Sequence, residues 1–462
     1  MLEALVKNSP FLDGTISRRT WLRQVGSVAA YIAIQSQIGC SPRRRFEDQP
    51  LVPSFQRVED RGLKPLAHET IELLNASSFL FGGFECSTHW QNGRRNDMVA
   101  STKHDRFARQ DYARLTSLGM DFCRDGISWV SSEPSPGRYD FSRARPMVQA
   151  AREAGVTVAW DLMHFGWPDH IDVFATSFPK NFAGYATEVA RLLQDEGVGS
   201  APVICPINEI SFLAWAGGDQ GFISPLQHDR GPELKVQMVR AAIEAMHAFR
   251  GVIPGTRFFH CDPIIHVAPR TNRVRERDTA EYLRVLQFQS WDMISGRSWK
   301  PQLGGSPDLL DIVGVNYYRN NQRYTDGEFI DGNESSYRPL SEMLNEVASR
   351  YQKPIVIAET GAEERDRPEW INYVASECTK AMKAKCPLYG VTWYPIVNHP
   401  GWVDDRHVLN GLWDYADAAG DRPVYQPLAD EITRLNPLLR RVRADYVRPK
   451  LLSAPQESSA PT

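Results

Sequence analysis

Residues 355–361 read Ile355-Val356-Ile357-Ala358-Glu359-Thr360-Gly361, an apolar, β-branched run that ends on a carboxylate. A run of this length and composition predicts a buried strand. Similar runs recur along the middle of the chain, with starts 35 to 55 residues apart. The predicted strands cover residues 79–84, 120–129, 156–165, 202–209, 256–266, 311–318, 354–360 and 389–395.

Segments with helix-like apolar spacing lie between these runs, at 105–118, 142–154, 232–250 and 368–384. Alternating strands and helices imply a parallel sheet, and eight such units close into a (β/α)8 TIM barrel. The alternative is an open doubly wound sheet, which is weakened because no glycine-rich phosphate motif follows the first strand. The sequence therefore predicts an α/β fold of one barrel domain spanning residues 71–448.

Composition restricts the class of protein. The 462 residues are 42% hydrophobic, 10% aromatic and 24% charged, which excludes wholesale disorder, a collagen-like repeat and a polytopic membrane protein. A net charge of −3 gives no reason to expect a nucleic-acid partner. The many aromatic side chains favour a cleft for small molecules or sugars.

The N-terminus resembles a bacterial twin-arginine export signal. Ser17-Arg18-Arg19-Thr20-Trp21-Leu22-Arg23 precedes a mildly apolar stretch that is too short to span a bilayer. We expect an export signal over 1–40, a linker over 41–70 and a disordered tail over 449–462, and hence a periplasmic protein of a bacterium. Cys40 stands at a possible lipoprotein site, which would tether the chain to a membrane. An ordinary amphipathic helix with a chance Arg-Arg pair is the alternative.

The seven cysteines have no zinc-type spacing. Cys86, Cys123, Cys205 and Cys261 fall in apolar runs and are predicted to be core residues. The pair Cys378 and Cys386 has the option of a disulfide in an oxidising compartment. We expect neither a metal nor a cofactor.

In a TIM barrel the chemistry lies where the strands end on their C-terminal side. Acids, amides and aromatics close the predicted strands, which fits a sugar site better than a phosphate site. The polar residues at these ends are Glu85, His89, Arg124, Asp161, His164, Asn208, Glu209, His260, Asp262, His266, Asn316, Tyr317, Tyr318, Glu359, Asn398 and His399, and the tryptophans are Trp90, Trp167, Trp393 and Trp402. The group His260, Asp262 and His266 shares one strand, where side chains face different directions, so we do not expect it to bind a metal.

Two of these carboxylates end continuous apolar strands, Glu209 on the fourth and Glu359 on the seventh. Glycoside hydrolysis needs such a pair, in which one carboxyl protonates the leaving oxygen and the other attacks the sugar or activates water. Carboxyls about 5–5.5 Å apart give retention of configuration, and about 6.5–9.5 Å gives inversion. A solvated residue or an ion-pair partner is the alternative for either glutamate alone.

The chain resembles a clan A retaining glycoside hydrolase, nearest to family 1, the β-glucosidase and β-galactosidase type. The resemblance runs from about residue 79 to residue 413. Its motifs are Phe79-Leu80-Phe81-Gly82, Arg124 to Trp129, Asp161-Leu162-Met163-His164-Phe165, Pro206-Ile207-Asn208-Glu209, Gly314-Val315-Asn316-Tyr317-Tyr318, Ile357-Ala358-Glu359-Thr360-Gly361 and Trp393.

This resemblance implies a retaining β-glycosidase with Glu359 as nucleophile and Glu209 as acid/base. It implies that Arg124 and Tyr318 keep Glu359 ionised, and that Asn208 and His164 bind the sugar 2- and 3-hydroxyls. The implied sugar-contacting residues are Asn208, His164, Arg124, Tyr318, Asn316, His89, Trp393 as the platform under the ring, and Trp402. Structural roles are the alternatives for some of these residues. Arg124 would then pair with Asp125 or Asp161, and Asn316 and Tyr318 would cap the sixth strand.

Three departures from the family pattern concern the sugar pocket. An ungapped comparison puts His89 where the family has a sugar-binding glutamine. The eighth-strand Glu-Trp pair is replaced by Asn398-His399-Pro400-Gly401-Trp402, and Ile210 replaces the proline after the acid/base motif. The identity of the sugar is therefore open. An endo-acting or transglycosylating relative, or a catalytically silent glycan-binding barrel, are the alternative functions.

Overall fold

The predicted runs form the strands of a closed parallel barrel in the computed structural model, which describes residues 77–297 and 300–447. Each strand pairs with its neighbours in chain order, and the first strand pairs with both the second and the last. This closure excludes the open sheet and confirms the TIM barrel. The eight barrel strands are β1 (Leu80–Gly83), β2 (Phe122–Gly126), β3 (Thr157–Asp161), β4 (Val203–Cys205), β5 (Arg257–Pro263), β6 (Ile312–Asn316), β7 (Ile355–Thr360) and β8 (Leu388–Trp393).

Seven of the eight observed strands end before the predicted runs do, whereas β7 ends at Thr360 as predicted. Strand β4 ends at Cys205, so Asn208 and Glu209 stand in the loop that follows it. Their backbone amides still bond across the barrel, since Asn208 donates to Met163 O at 3.0 Å and Glu209 donates to Cys261 O at 2.9 Å. The loop is therefore held rigidly although it has left the sheet.

Helices surround the barrel and alternate with its strands. The four predicted helices are confirmed. Five further helices lie in segments for which the sequence predicted no helix. Among the described residues, the α-helices of six residues or more are α1 (His104–Ser117), α2 (Ala144–Glu153), α3 (Phe178–Asp195), α4 (Gly231–Val252), α5 (Val274–Leu286), α6 (Gln289–Ile294), α7 (Leu340–Tyr351), α8 (Arg367–Lys383) and α9 (Gln426–Tyr446).

The barrel interior has its own apolar core, separate from the larger core between strands and helices. Phe81 and Phe122 meet inside it with ring centroids 4.8 Å apart. Gly390 of β8 is needed here, because a Cβ at this position would lie 2.0 Å from the Phe81 ring. The interior is thus filled by side chains and supports the cleft above it.

The cysteines inside the described chain are buried and free. Cys205 and Cys261 belong to the barrel interior, and Cys86 and Cys123 to the surrounding core, as predicted. Cys378 and Cys386 are also buried thiols, so the disulfide that the sequence allowed is not formed in this structure.

Several predictions concern residues beyond the described ranges. The export signal over 1–40 with Cys40, the linker over 41–70 and the tail over 449–462 all lie outside the part of the chain that the structure describes. Within the described ranges, no helix has both the length and the apolar character needed to cross a membrane.

Candidate active site

A cleft opens where the barrel strands terminate on their C-terminal side. About 840 Å³ of space that no protein atom fills lies in and above this cleft, part of it open to solvent. Polar side chains that follow six of the barrel strands meet with aromatic ones on its walls. The lining residues are Glu85, His164, Phe165, Glu209, Phe212, Pro263, Tyr318, Asn321, Glu359, Gly361, Ala362, Glu363, Tyr394, Pro395, His399, Trp402 and Asn410.

Glu209 enters the cleft from an unusual backbone conformation. It precedes the short helix Ile210–Leu213 with φ 46° and ψ 57°, a left-handed conformation that is uncommon for a residue other than glycine. Asn316 donates an amide hydrogen bond to Glu209 Oε1 at 2.9 Å. Burial, together with the charge of Glu359, raises the pKa of Glu209 well above its usual range. This shift favours the protonated carboxyl, the form that a general acid needs.

Glu359 lies near the end of β7 and is held from two sides. Arg124 Nη1 donates to Glu359 Oε1 at 2.8 Å, and the Tyr318 hydroxyl donates to Oε2 at 2.9 Å. The Arg124 side chain is fully buried, so its charge acts on Glu359 through a medium with little water. These contacts fix the orientation of the carboxylate.

A hydrogen-bonded network lies beneath the two glutamates. Arg124 Nη2 donates to Asp161 Oδ2 at 2.6 Å and to Asn208 Oδ1 at 2.9 Å. His164 Nδ1 lies 3.0 Å from Asp161 Oδ2, and His164 Nε2 lies 2.9 Å from Asn208 Nδ2. Arg124 thus pairs with Asp161, as one alternative allowed, while also contacting Glu359. His164 lines the cleft, whereas Asn208 is buried below its surface.

A third carboxylate, Glu85, lines the same cleft. Glu85 follows β1, and the sequence predicts it among the polar residues at the strand ends. Burial by itself raises the pKa of Glu85, but the charges of His164 and His399 and the contacts with Ser87 outweigh it and lower the pKa. Glu85 is therefore a buried, ionised group facing the cleft.

Five of the predicted sugar contacts do not line the cleft, namely Asn208, Arg124, Asn316, His89 and Trp393. His89 is fully buried against Trp402, with ring centroids 4.3 Å apart, and its Nε2 lies 3.0 Å from Asn96 Nδ2. Trp393 is buried in the core and donates from Nε1 to Asn410 O at 2.9 Å. Side chains alternate at the end of β8, so Tyr394 faces the cleft and Trp393 does not, whereas His89 lies in the loop after β1.

Tyr394, the residue after Trp393, lines the cleft, and so does Trp402. The Tyr394 ring lies 5.3 Å from the Arg124 guanidinium. Within the described residues, the Tyr394 hydroxyl and Trp402 Nε1 are buried polar atoms without a hydrogen-bond partner. Unpartnered donors in a cleft are suited to binding a polar ligand. Asn316, predicted to contact the sugar, instead contacts Glu209 and does not line the cleft.

The histidines and aspartate of β5 and the loop after it point to separate partners. His260 Nε2 lies 3.1 Å from Leu309 O, His266 Nε2 lies 3.0 Å from Ser336 O, and Asp262 accepts a hydrogen bond from Ser211 Oγ at 2.8 Å. These three side chains therefore do not converge on one point.

A closer group of metal-type ligands is formed by Cys86, Asp161 and His164, whose ligand atoms lie within 4.8 Å of one another. The Arg124 guanidinium already occupies Asp161 Oδ2, so a metal ion there would sit beside a positive charge. Burial also raises the pKa of the Cys86 thiol well above its usual range, whereas a metal ligand must be a thiolate. The group fits a hydrogen-bonded network better than a metal centre.

Comparisons with known proteins identify the architecture. No protein-family model matches the sequence, and no curated protein matches it. Among solved structures, a family 1 β-glucosidase from Thermotoga maritima superposes with a TM-score of 0.64 at 14% identity, covering 77% of this chain and 96% of that one. A β-glycosidase from Pyrococcus horikoshii gives 0.63 at 20% identity, covering 81% and 98%.

A third similar structure is the AHE enzyme from Alicyclobacillus herbarius, with a TM-score of 0.61 at 19% identity over 75% of this chain and 88% of that one. The Thermotoga enzyme has also been solved in complex with glucoimidazole. At these identities the likeness establishes the shared barrel fold, and the chemistry has to be argued from the cleft itself.

Proposed function

We propose that this chain is a retaining β-glycosidase that removes terminal β-linked sugars, with Glu359 as nucleophile and Glu209 as acid/base. The observation that carries the proposal is the unequal pair of carboxyls in one cleft. Glu209 has a raised pKa, and Glu359 is held by a guanidinium and a phenol. Unequal environments of this kind divide acid and nucleophile roles between two carboxyls. The shared barrel of the β-glucosidase and β-glycosidase structures supports the same assignment.

In the first step, Glu209 donates its proton to the glycosidic oxygen while Glu359 attacks the anomeric carbon. The bond between that carbon and the leaving oxygen breaks, and its electron pair stays on the oxygen. A covalent ester to Glu359 results. Arg124 and Tyr318 hold the attacking carboxylate in position before this step.

In the second step, Glu209 takes a proton from water, which attacks the anomeric carbon and releases Glu359. Formation of the ester removes the negative charge of Glu359, and that charge is one of the causes of the raised Glu209 pKa. The first step therefore lowers the pKa of Glu209 and prepares it to act as a base.

The experiment is hydrolysis of a panel of aryl β- and α-glycosides by the full chain, by Glu359→Ala and by Glu209→Ala. We expect activity on β-glycosides, its loss in Glu359→Ala, and a β-azido sugar when azide is added to Glu209→Ala. Glu377→Gln is the matched control, because Glu377 is a buried carboxylate that contacts Ser341 far from the cleft. Undiminished activity in Glu359→Ala contradicts the proposal, and an α-azido product contradicts the retaining assignment.

A further inference from the structure

Glu85 is a charged group that the two-step mechanism does not use. Its side chain lines the cleft together with Glu209 and Glu359, yet the residue is only 6% exposed. Within the described chain its hydrogen-bond partner is Ser87, whose backbone amide donates to Oε1 at 3.2 Å. A buried carboxylate has about four acceptor positions on its two oxygens, and Ser87 fills only part of them, so a carboxylate that lines the cleft has acceptor positions to offer a ligand.

The cationic side chains around the cleft form hydrogen bonds and ion pairs with residues other than Glu85. Arg124 contacts Asp161, Asn208 and Glu359. His164 contacts Asp161 and Asn208 through its two nitrogens. Arg406, at the cleft edge, donates to both oxygens of Glu363 at 3.0 and 2.8 Å.

His399 is engaged in the same way, with Nδ1 2.8 Å from Pro400 O and Nε2 3.1 Å from Asn410 Nδ2. The described protein thus offers Glu85 no ion-pair partner in direct contact. A buried carboxylate accepts several hydrogen bonds and Ser87 supplies only part of them, so a ligand with several donors is suited to this position.

We propose that Glu85 determines specificity at the sugar-binding end of the cleft, where it accepts hydrogen bonds from hydroxyls of a neutral sugar. The inference rests on the proposed function and deepens it by naming the substrate class. Sugar hydroxyls supply the missing donors. A sugar carrying a carboxylate or phosphate would meet the negative charges of Glu85 and Glu359. The Arg124 guanidinium is already bonded to Glu359 and Asp161. The cleft is therefore selective for neutral over anionic glycosides.

The test compares the full chain with Glu85→Gln, which keeps the side-chain shape and removes the charge. Kinetics are measured on aryl β-glucoside, β-galactoside and β-glucuronide, and on the 3-, 4- and 6-deoxy forms of the preferred neutral glycoside. Glu153→Gln is the matched control, because it removes one carboxylate at an exposed pair with Arg109. Calorimetric titration with the same glycosides gives a binding readout that does not depend on turnover.

We expect Glu85→Gln to lose about 10- to 100-fold in kcat/KM on the neutral glycoside, the range for hydrogen bonds to a charged group. Removing the sugar hydroxyl that contacts Glu85 should lower kcat/KM of the wild type by about the same factor. It should lower kcat/KM of Glu85→Gln much less, because the contact is already weakened in that variant. A wild-type preference for the glucuronide, or equal deoxy penalties in both proteins, overturns the inference while leaving the glycosidase assignment intact. Glycoside binding that depends on Glu85 without any hydrolysis overturns the glycosidase assignment and supports the role of Glu85. No binding of neutral glycosides overturns both.

Discussion

At the scale of single residues, the protonation of Glu209 sets the pH range of activity. Because its pKa is raised, the carboxyl keeps its proton as pH rises past the usual range for glutamate. We expect kcat/KM on an alkyl β-glycoside to hold through that range and to fall as pH rises through the raised pKa, where the acid form disappears.

The pH profile of kcat/KM checks this on two substrates. Glu209→Ala should lose about 10²–10⁴-fold on an alkyl glycoside, which needs protonation of its leaving group, and much less on a dinitrophenyl glycoside, which does not. The alkaline fall should vanish from the dinitrophenyl profile of this variant. An unchanged alkaline fall there would assign it to another group.

Tyr318 acts on Glu359 through one hydroxyl. Tyr318→Phe removes the 2.9 Å hydrogen bond and leaves the ring in place, so we expect kcat/KM to fall about 10- to 100-fold with little change in melting temperature. Tyr317→Phe is the matched control, since its hydroxyl lies 3.1 Å from the hydroxyl of Tyr337, away from the cleft. Equal kinetic losses in both variants would contradict a specific role for Tyr318.

At the scale of elements, α1 is joined to β2 by a buried charged network. His104 begins α1, with Nδ1 2.8 Å from Asp111 Oδ2 and Nε2 2.8 Å from Asp125 Oδ2. Arg422 donates to both oxygens of Asp111. Burial alone lowers the pKa of His104, but the two aspartates outweigh it and raise the pKa to about 9.

This network makes stability depend on pH. The folded-state pKa of His104 is higher than the unfolded value of about 6.5, so its stabilising contribution is complete below pH 6.5 and is lost as pH rises towards 9. Between pH 6 and pH 9, we expect the free energy of unfolding to fall about 1–3 kcal/mol more in wild type than in His104→Gln. Denaturant unfolding at both pH values measures the difference, and parallel pH dependence in the two proteins would contradict the assignment.

At the scale of the whole molecule, α9 ties the first and last strands together. Asn436 Oδ1 accepts hydrogen bonds from the backbone amides of Phe79 and Leu80 at 2.7 and 3.0 Å. Arg443 Nη1 donates to Ser78 O at 3.2 Å and to Tyr389 O at 2.9 Å. The helix therefore secures the seam where β1 meets β8.

Asn436→Leu leaves two buried amides of β1 without their acceptor. We expect it to lower the free energy of unfolding by about 2–4 kcal/mol, because each unsatisfied buried group costs about 1–3 kcal/mol. Leu438→Ala on the exposed side of the same helix should change it by less than about 1 kcal/mol. Thermal and denaturant unfolding measure the stability of both variants. Equal losses in the free energy of unfolding would contradict a specific stabilising role for the Asn436 contacts.

Much of the architecture could be predicted because a buried strand can be recognised from the residue types in a short segment of the sequence. Most barrel strands are apolar runs rich in β-branched or aromatic residues, as a parallel strand with both faces covered requires, although β2 carries Arg124 and Asp125. The C-terminal strand ends then placed Glu209, Glu359, His164 and Tyr318 on one rim. The helices were harder to assign, as α5 illustrates with Ala280 as its one buried residue.

The sequence by itself determined the barrel, its order of strands and the two carboxyls that face the cleft, because these follow from patterns within single elements. Only the tertiary structure decided which of two adjacent side chains enters the cleft, as with Trp393 and Tyr394, since a one-residue step past a strand end reverses the direction. It also decided that the pKa of Glu209 is raised and that Glu85 has no ion-pair partner within residues 77–297 and 300–447. Both depend on distances between residues of different strands, which exist only once the barrel has closed.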